Sequence, residues 1–464
     1  MRYKPTSDFH RHARQLLNPL AAIFLLITAF SPLLVLAREP SDTQSEAVTP
    51  AVPVAASSSL RDVSAALTKI INANKVPGLA AILIEGDTIL IQGAAGVRTR
   101  GSDAAITIND QFHIGSCTKA MTATLCAVLV QEGVLRWDMT LAEAFPEVMK
   151  AQGVNADRAA AWGPITLTQL LVHHSGAPAN PSIDGLWERL VNFKGTPTQA
   201  RATLLEGVLR GPLDAAPGTK FIYSNTGYAI AGHMAEIKTG FAWEELMQTR
   251  IFAPLGITSA GFGAPGSADV VDQPRGHTAA GIAIVPGPRA DNPAAIGPAG
   301  TAHMSLPDWA RFAALHLRGA CESTCGTDIL TGDAFAVLHE PYVATSTRGS
   351  VDGGADQDAG DGAGATADSK DKNTYACGWA VAQRPWANGR VLTHSGSNTM
   401  WYSAIWIAPK KNIAILAVCN QGGNKGAKAA DQAIASLIGE FTKLEAERAK
   451  GTPASQVDAM NAPK

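Results

Sequence analysis

Residues 112–123 read FHIGSCTKAMTA, and they open an apolar, helix-forming run that continues to Gly133. Ser116 and Lys119 stand three positions apart in it, so both side chains lie on one face of the predicted helix. A serine hydroxyl is a poor nucleophile until a base takes its proton, and a lysine with a lowered pKa can be that base. The segment therefore predicts a nucleophilic serine at a helix N-terminus, with its base beside it.

Two further motifs lie downstream, one on a predicted loop and one at a strand end. Tyr223 and Asn225 follow a Pro-Gly turn and precede a helical pattern, where a phenol and an amide can relay a proton and hold a substrate carbonyl. His394 is the last residue of the predicted strand VLTH, and Gly396 lies two residues beyond it. We expect the glycine to let a substrate backbone approach the strand edge, with the N–H of Ser397 facing a developing oxyanion.

The motifs Ser-x-x-Lys, Tyr-x-Asn and His-x-Gly, in this order and spacing, resemble those of the penicillin-recognising serine hydrolases. That family includes class C β-lactamases, D-Ala-D-Ala carboxypeptidases, D-aminopeptidases and related esterases. Other stretches also resemble its recurring segments and follow its order, namely ITLTQLLVHHSG (165–176), PGTKFIYSNTGYAIAGHMAE (217–236), IFAPLGI (251–257), PAGTAHMSLPDWARF (298–312) and YACGWAV (375–381). The resemblance covers about residues 60–440 and implies a β-lactamase/transpeptidase-like fold.

The resemblance also implies a serine hydrolase that works through an acyl-enzyme, without a metal or cofactor. The implied catalytic residues are Ser116, Lys119 and Tyr223, and the implied substrate-binding and oxyanion residues are Asn225, His394, Gly396 and Ser397. Ser116 is the nucleophile, the general base is either Lys119 or Tyr223, and the oxyanion hole is formed by the N–H groups of Ser116 and Ser397.

The third motif departs from the lysine-containing form that holds the carboxylate of a β-lactam. His394 offers only a conditional charge for that task, because the pKa of a histidine lies near neutrality. We therefore expect an amide or ester substrate, either a D-amino-acid peptide or a small ester. A class C-like β-lactamase and a non-catalytic penicillin- or peptidoglycan-binding protein are the alternatives.

Strand-like runs occur near both ends of the chain. Apolar runs on either side of Gly86 and Asp87 predict a hairpin over residues 79–97. Later elements are predicted as strands at 375–382, 390–393, 401–407 and 413–419 and a closing helix at 427–444. The pattern between these ends, from about 111 to 262, is mainly helical. We expect an α/β (α+β) fold, in which an antiparallel sheet flanked by helices carries an inserted, mainly helical domain.

These patterns also predict how the chain is divided. The predicted parts are a flexible leader at 38–57, a discontinuous sheet domain at 58–110 and 287–445, a mainly helical domain at 111–286 and a flexible tail at 446–464. Residues 345–373 are rich in Gly, Asp, Ala and Ser and nearly devoid of large apolar residues, which predicts a disordered surface insertion within the sheet domain.

The first 37 residues have the pattern of a signal peptide. A basic stretch is followed by an apolar run over residues 20–37 that ends in Val-Leu-Ala, a small-x-small pattern suited to cleavage. The expectation is a periplasmic or secreted protein, without stable membrane insertion after cleavage. An uncleaved N-terminal anchor is the alternative, since the run is just long enough to span a bilayer.

The charge balance bears on the partners. Lys and Arg number 38 and Asp and Glu number 40, a net charge of −2, so nothing in the composition favours nucleic acid. We expect a small-molecule or peptide substrate, and the oligomeric state is left open. Cys321 and Cys325 are close enough to form a small disulfide loop, and without a second ligand pair they do not predict a metal site.

Overall fold

The computed structural model describes residues 55–151, 153–320, 326–342 and 374–451. The predicted signal peptide, the acidic insertion at 345–373, the pair Cys321 and Cys325 and the chain beyond 451 lie outside the described residues.

The strands of the described chain are β1 (Ala55–Asp62), β2 (Gly78–Glu85), β3 (Thr88–Gly96), β4 (Phe112–His113), β5 (Gly261–Phe262), β6 (Ala302–Met304), β7 (Thr374–Tyr375), β8 (Ala380–Arg384), β9 (Gly389–Gly396), β10 (Tyr402–Ala408) and β11 (Ile413–Cys419). The α-helices are α1 (Ser64–Asn74), α2 (Thr118–Gln131), α3 (Leu141–Ala144), α4 (Ala156–Trp162), α5 (Leu167–Leu171), α6 (Leu186–Val191), α7 (Pro197–Val208), α8 (Asn225–Thr239), α9 (Trp243–Met247), α10 (Gly297–Gly300), α11 (Leu306–Gly319), α12 (Gly332–His339) and α13 (Gly423–Gly451).

The larger sheet has eight strands in the order β1-β3-β2-β11-β10-β9-β8-β7. Its strands come from both ends of the chain, as the sequence predicts, and the hairpins β2–β3 and β10–β11 are antiparallel. The edge strand β1 pairs parallel to β3, so the sheet is mixed rather than wholly antiparallel. The predicted leader at 38–57 is therefore too long by at least three residues, since residues 55–57 belong to β1.

The central strands are buried on both faces, which explains why they read as continuous apolar runs. Because side chains alternate along a strand, Leu79 and Leu83 of β2 face one core with α1 and α13. Ala80 and Ile82 face a second core that also contains α2 and α11. The sheet is thus the middle layer between two helical layers.

The helix α2 lies inside the second core. Every residue from Thr118 to Leu129 is buried, which is typical of a helix that is covered on all sides. Gly378, between β7 and β8, lies against its first turn, since a Cβ at that glycine would be 2.6 Å from Ala120 Cα. The N-terminus of α2 is therefore held rigidly beside the sheet edge formed by β7, β8 and β9.

The structure differs from the sequence predictions in three larger respects. The strand predicted at 375–382 is two short strands, β7 and β8, separated at Gly378, whose φ of +80° interrupts the extended chain. The closing helix α13 continues to Gly451, into the predicted tail. The small sheet β4-β6-β5 joins strands from both predicted domains, because β6 belongs to the sheet domain and β4 and β5 to the helical one.

Within the described ranges, no helix combines the length and apolar character needed to cross a lipid bilayer.

Candidate active site

The N-terminus of α2 carries the predicted nucleophile. Ser116 belongs to a 3₁₀ turn, Gly115–Cys117, that leads directly into the helix. Lys119 is one turn further along and is fully buried, and its Nζ lies 3.0 Å from Ser116 Oγ. The structure thus brings the two residues together as the Ser-x-x-Lys spacing predicts.

The amine of Lys119 lies among oxygen atoms and aromatic rings. Its Nζ is 2.7 Å from Asn225 Oδ1 and 2.8 Å from the carbonyl oxygen of Ala299, and the ring of Tyr223 covers it at 4.6 Å. Burial lowers the pKa of Lys119 well below its usual value, so the uncharged amine is favoured.

An uncharged amine has two N–H donors and one lone pair. The oxygens of Asn225 and Ala299 can only accept, so they take both N–H groups of Lys119. In this uncharged form the lone pair is left for Ser116 Oγ, 3.0 Å away, which is the one neighbour of the three whose hydroxyl can donate. This arrangement lets the lysine receive the serine proton.

The motif at Tyr223 is positioned by the start of α8. Ser224 caps that helix by accepting from Gly227 N–H at 2.9 Å, so Asn225 is the first helical residue. Asn225 Nδ2 donates to Asn180 Oδ1 at 2.8 Å, which turns the amide oxygen toward Lys119. The structure therefore brings both residues of the Tyr-x-Asn motif to the lysine.

The strand end β9 meets the nucleophile turn through two glycines. A Cβ at Gly115, where φ is +50°, would be 2.4 Å from Ser397 N. A Cβ at Gly396 would be 2.0 Å from the carbonyl oxygen of Ile114 and 2.8 Å from Ser116 N. The predicted oxyanion N–H groups thus lie on two segments in direct backbone contact. The missing side chain of Gly396 is therefore required by packing against the protein's own chain, and the approach of a substrate backbone to this strand edge stays a prediction.

His394 lies on β9 and is held by two hydrogen bonds. Its Nδ1 is 2.6 Å from the carbonyl oxygen of Ser395, which can only accept, so the ring proton is on Nδ1. Its Nε2 accepts from the hydroxyl of Tyr375 at 3.0 Å. Burial, together with nearby Lys119, lowers the pKa of His394 to about 3. The expected near-neutral pKa is therefore wrong, and the imidazole is uncharged at neutral pH.

Two aromatic side chains of this cluster are not among the predicted site residues. Tyr375 is the first residue of the segment YACGWAV, which resembles a recurring segment of the family. That resemblance could have drawn attention to Tyr375, but it gives no sign of the hydrogen bond to His394. His173, in LLVHHSG, is buried with its ring 4.4 Å from that of Tyr223, and its Nδ1 accepts from Ser224 N–H. The φ of His173 is +61°, which is rare for a residue with a side chain, and its ring packs between those of Tyr223 and Tyr375.

The cysteine beside the nucleophile does not share its chemistry. Cys117 is 2% exposed, and burial raises the pKa of its thiol to about 12. The reactive thiolate is therefore absent at neutral pH. Within the described ranges, no group of three or more His, Cys, Asp or Glu side chains is arranged to hold a metal ion.

The fold and this constellation define the class of serine hydrolases that carry Ser-x-x-Lys on a buried helix. Residues 63–438 match the family described as Beta-lactamase, and the chain belongs to that family. The chain is similar to penicillin-binding protein 4 of Amycolatopsis lactamdurans, with 31% identity over 268 residues, 57% of this chain and 65% of that protein. It is 33% identical to lovastatin esterase of Penicillium rubens over 181 residues, 36% of this chain and 44% of the esterase.

The solved structure of an octameric penicillin-binding protein homologue from Pyrococcus abyssi has the same fold. Its TM-score is 0.61 at 22% identity, covering 81% of this chain and 76% of that one. The fold is therefore β-lactamase/transpeptidase-like, as the resemblance implies. The matches span less than two thirds of the length of the two curated relatives.

Proposed function

We propose that the protein is an exported serine acyl hydrolase that cleaves small esters or D-amino-acid amides and peptides through an acyl-enzyme on Ser116. The observation that carries this proposal is the contact of 3.0 Å between Ser116 Oγ and the Nζ of Lys119, a fully buried lysine whose pKa burial lowers well below its usual value. Serine attack needs a neutral base at hydrogen-bond distance, and this contact supplies one.

The reaction begins when Lys119 takes the Ser116 proton and Oγ bonds to the substrate carbonyl carbon. The negative charge that develops on the carbonyl oxygen is stabilised by the N–H groups of Ser116 and Ser397. The bond to the leaving alcohol or amine then breaks, and the leaving group takes the proton from the Lys119 ammonium. The ring of Tyr223 lies 4.6 Å from the amine, and in this proposal its hydroxyl assists the transfer. Water attacks the acyl carbon by the same route in reverse and frees Ser116.

The charge at the site favours substrates with uncharged leaving groups. Burial lowers the pKa of His394 to about 3, and the two ring nitrogens of His394 are held by Ser395 and Tyr375. At neutral pH His394 thus offers no cation to a substrate carboxylate. This supports an ester, an amide, or a D-amino-acid peptide whose leaving group carries no free carboxylate over a penicillin, and the similarity to an esterase favours the ester.

The test is hydrolysis of 4-nitrophenyl acetate, D-alanine amide, D-alanyl-D-alanine and a penicillin, followed by mass spectrometry of the protein. Wild type is expected to turn over the ester or the amide, and Ser116→Ala is expected to lose turnover while remaining folded. Cys117→Ala is the matched control, since it removes the neighbouring thiol, and it is expected to stay active.

The other outcomes identify the alternatives. Fast penicillin turnover would make the protein a class C-like β-lactamase. A slowly released penicillin adduct on Ser116 with no ester or amide turnover would make it a penicillin-binding protein. A protein that neither turns over any substrate nor forms an adduct would be a non-catalytic binding protein, and the proposed reaction would be wrong.

Export is proposed from the N-terminal sequence, with its basic stretch, its apolar run and the small residue Ala37. N-terminal sequencing of the protein from its native source is expected to begin near Arg38. A membrane-bound protein that retains Met1 would show an uncleaved anchor instead.

A further inference from the structure

A buried carboxylate lies between the two segments that form the oxyanion hole. The side chain of Asp291 is 6% exposed and belongs to neither segment. Its Oδ1 accepts from Asn398 Nδ2 at 2.9 Å, and Asn398 directly follows Ser397. The same oxygen lies 2.9 Å from His113 Nε2, on the strand that leads into the nucleophile turn.

The contact with His113 extends to the nucleophile turn itself. His113 Nδ1 accepts from Gly115 N–H at 3.1 Å, so this nitrogen carries no proton. The proton of the neutral ring is therefore on Nε2, the nitrogen nearest Asp291, although its N–H does not point directly at Oδ1. The carboxylate thus favours the ring orientation in which His113 holds the residue preceding Ser116.

The contact with Asn398 holds the other side. While Nδ2 donates to Asp291, Asn398 Oδ1 accepts from Met400 N–H at 3.3 Å, and the side chain is nearly completely buried. The amide therefore bridges the carboxylate and the turn after Ser397. Thr399 in this turn has a φ of +72°, a strained conformation that needs support from such contacts.

We infer that Asp291 is a positioning residue, whose one carboxylate sets the spacing between the two oxyanion N–H groups. It acts on Ser116 through His113 and Gly115, and on Ser397 through Asn398. This inference rests on the proposed acyl-enzyme reaction. Because the N–H groups must meet an oxygen at 2.7–3.1 Å, a small change in their spacing weakens both hydrogen bonds to the transition state.

The test compares Asp291→Ala, Asn398→Ala and the double variant with 4-nitrophenyl acetate and its thionoester, in which sulfur replaces the carbonyl oxygen. Sulfur accepts hydrogen bonds poorly, so the geometry of the oxyanion hole has little effect on the rate of thionoester hydrolysis. Each single variant is expected to lower kcat for the oxygen ester about 10- to 100-fold with little change in KM, since a misplacement of about 1 Å costs up to about 100-fold and each variant removes only one of the contacts that hold the N–H groups. The oxygen-to-thiono ratio, which is kcat for the oxygen ester divided by kcat for the thionoester, should fall about tenfold.

The two substitutions should also be non-additive, because they break one connection. The double variant is therefore expected to be scarcely slower than either single variant. Asp291→Asn keeps an acceptor at Oδ1, so this variant should retain most of the activity and the ratio. It should lower the melting temperature, because its amide N–H groups replace Oδ2, which is buried without a hydrogen-bond partner in the described residues.

Asp308→Ala is the matched control for loss of a buried carboxylate. Asp308 accepts from the backbone N–H groups of Thr258 and Ser259 at 2.9 and 2.7 Å, away from the oxyanion segments. It is expected to lower the melting temperature while leaving the oxygen-to-thiono ratio unchanged. If Asp291→Ala does not fold, Asn398→Ala carries the test, because it leaves the carboxylate in place.

Two outcomes contradict the inference, and they are distinguishable. An active wild type whose ratio is unchanged in Asp291→Ala or Asn398→Ala would overturn the positioning role alone. A wild type that hydrolyses neither ester, with Ser116→Ala indistinguishable from it, would overturn the proposed function and the positioning role together.

Discussion

Replacing Gly396 with alanine should separate the two halves of the oxyanion hole. The added Cβ would lie 2.0 Å from the carbonyl oxygen of Ile114, whereas real Cβ atoms essentially never come closer than 3.0 Å to another heavy atom. Strand β9 and the nucleophile turn must therefore move apart by about 1 Å. The same Cβ would lie 2.8 Å from both Ser116 N and Ser403 Oγ, so sliding sideways gives little relief.

This displacement sets the size of the expected effect. A shift of about 1 Å costs about 100-fold in kcat, and the loss of one oxyanion donor costs about 10²- to 10³-fold, which corresponds to about 2.7–4 kcal/mol. Overpacking of this kind also costs about 1–3 kcal/mol of stability. Gly396→Ala should therefore lower kcat for ester hydrolysis at least about 100-fold, with KM changed much less.

The assay is steady-state hydrolysis of 4-nitrophenyl acetate at a temperature where circular dichroism shows the variant to be folded. Gly439→Ala, in α13, is the matched control because a Cβ there meets open space. It should leave kcat unchanged and add about 0.5–1 kcal/mol of stability, since alanine is the better helix former. A folded Gly396→Ala protein within about threefold of the wild-type kcat would refute the argument from close packing.

Three further predictions concern charge and chain connectivity. Lys119→Ala should abolish acylation. The acylation rate of the wild type should rise with pH and level off well below pH 10.5, because the lysine must be deprotonated to act as the base and its pKa is lowered. Stopped-flow measurement of acylation across this pH range tests both expectations. Burial lowers the pKa of His339 to about 3, whereas histidine in the unfolded chain titrates near 6.5. Between these two pH values the unfolded chain binds a proton on this residue and the folded chain does not. Stability should therefore fall as pH drops from about 6.5 toward 3, by about 1.4 kcal/mol per unit for this residue, and urea titrations of His339→Gln should show a shallower dependence. Finally, Tyr342 N–H donates to the carbonyl oxygen of Tyr375 at 3.0 Å, so these two residues on either side of the acidic insertion are adjacent. Replacing residues 345–373 with a short Gly-Ser link should therefore leave the melting temperature within a few degrees by calorimetry, and a larger drop would show that the insertion stabilises the fold.

The features that the sequence determined by itself are those set by short-range geometry. Ser116 and Lys119 meet because residues three apart share a helix face, whatever surrounds the helix. The strands β2, β10 and β11 could be predicted because burial on both faces requires uninterrupted apolar runs. The position of β1 could not, since its composition resembles that of a leader and only pairing with β3 makes it a strand.

The charges at the site were decided by the tertiary structure alone. The local sequence predicts a lysine beside a serine, but the pKa of Lys119 is lowered by burial, and the groups that surround its amine include Asn225 and Ala299, more than a hundred residues away. His394 likewise loses its expected charge through burial beside Tyr375. Dihedral geometry acts between neighbours and can be read along the chain, whereas desolvation depends on every group that packs around an atom, and that set is assembled only by folding.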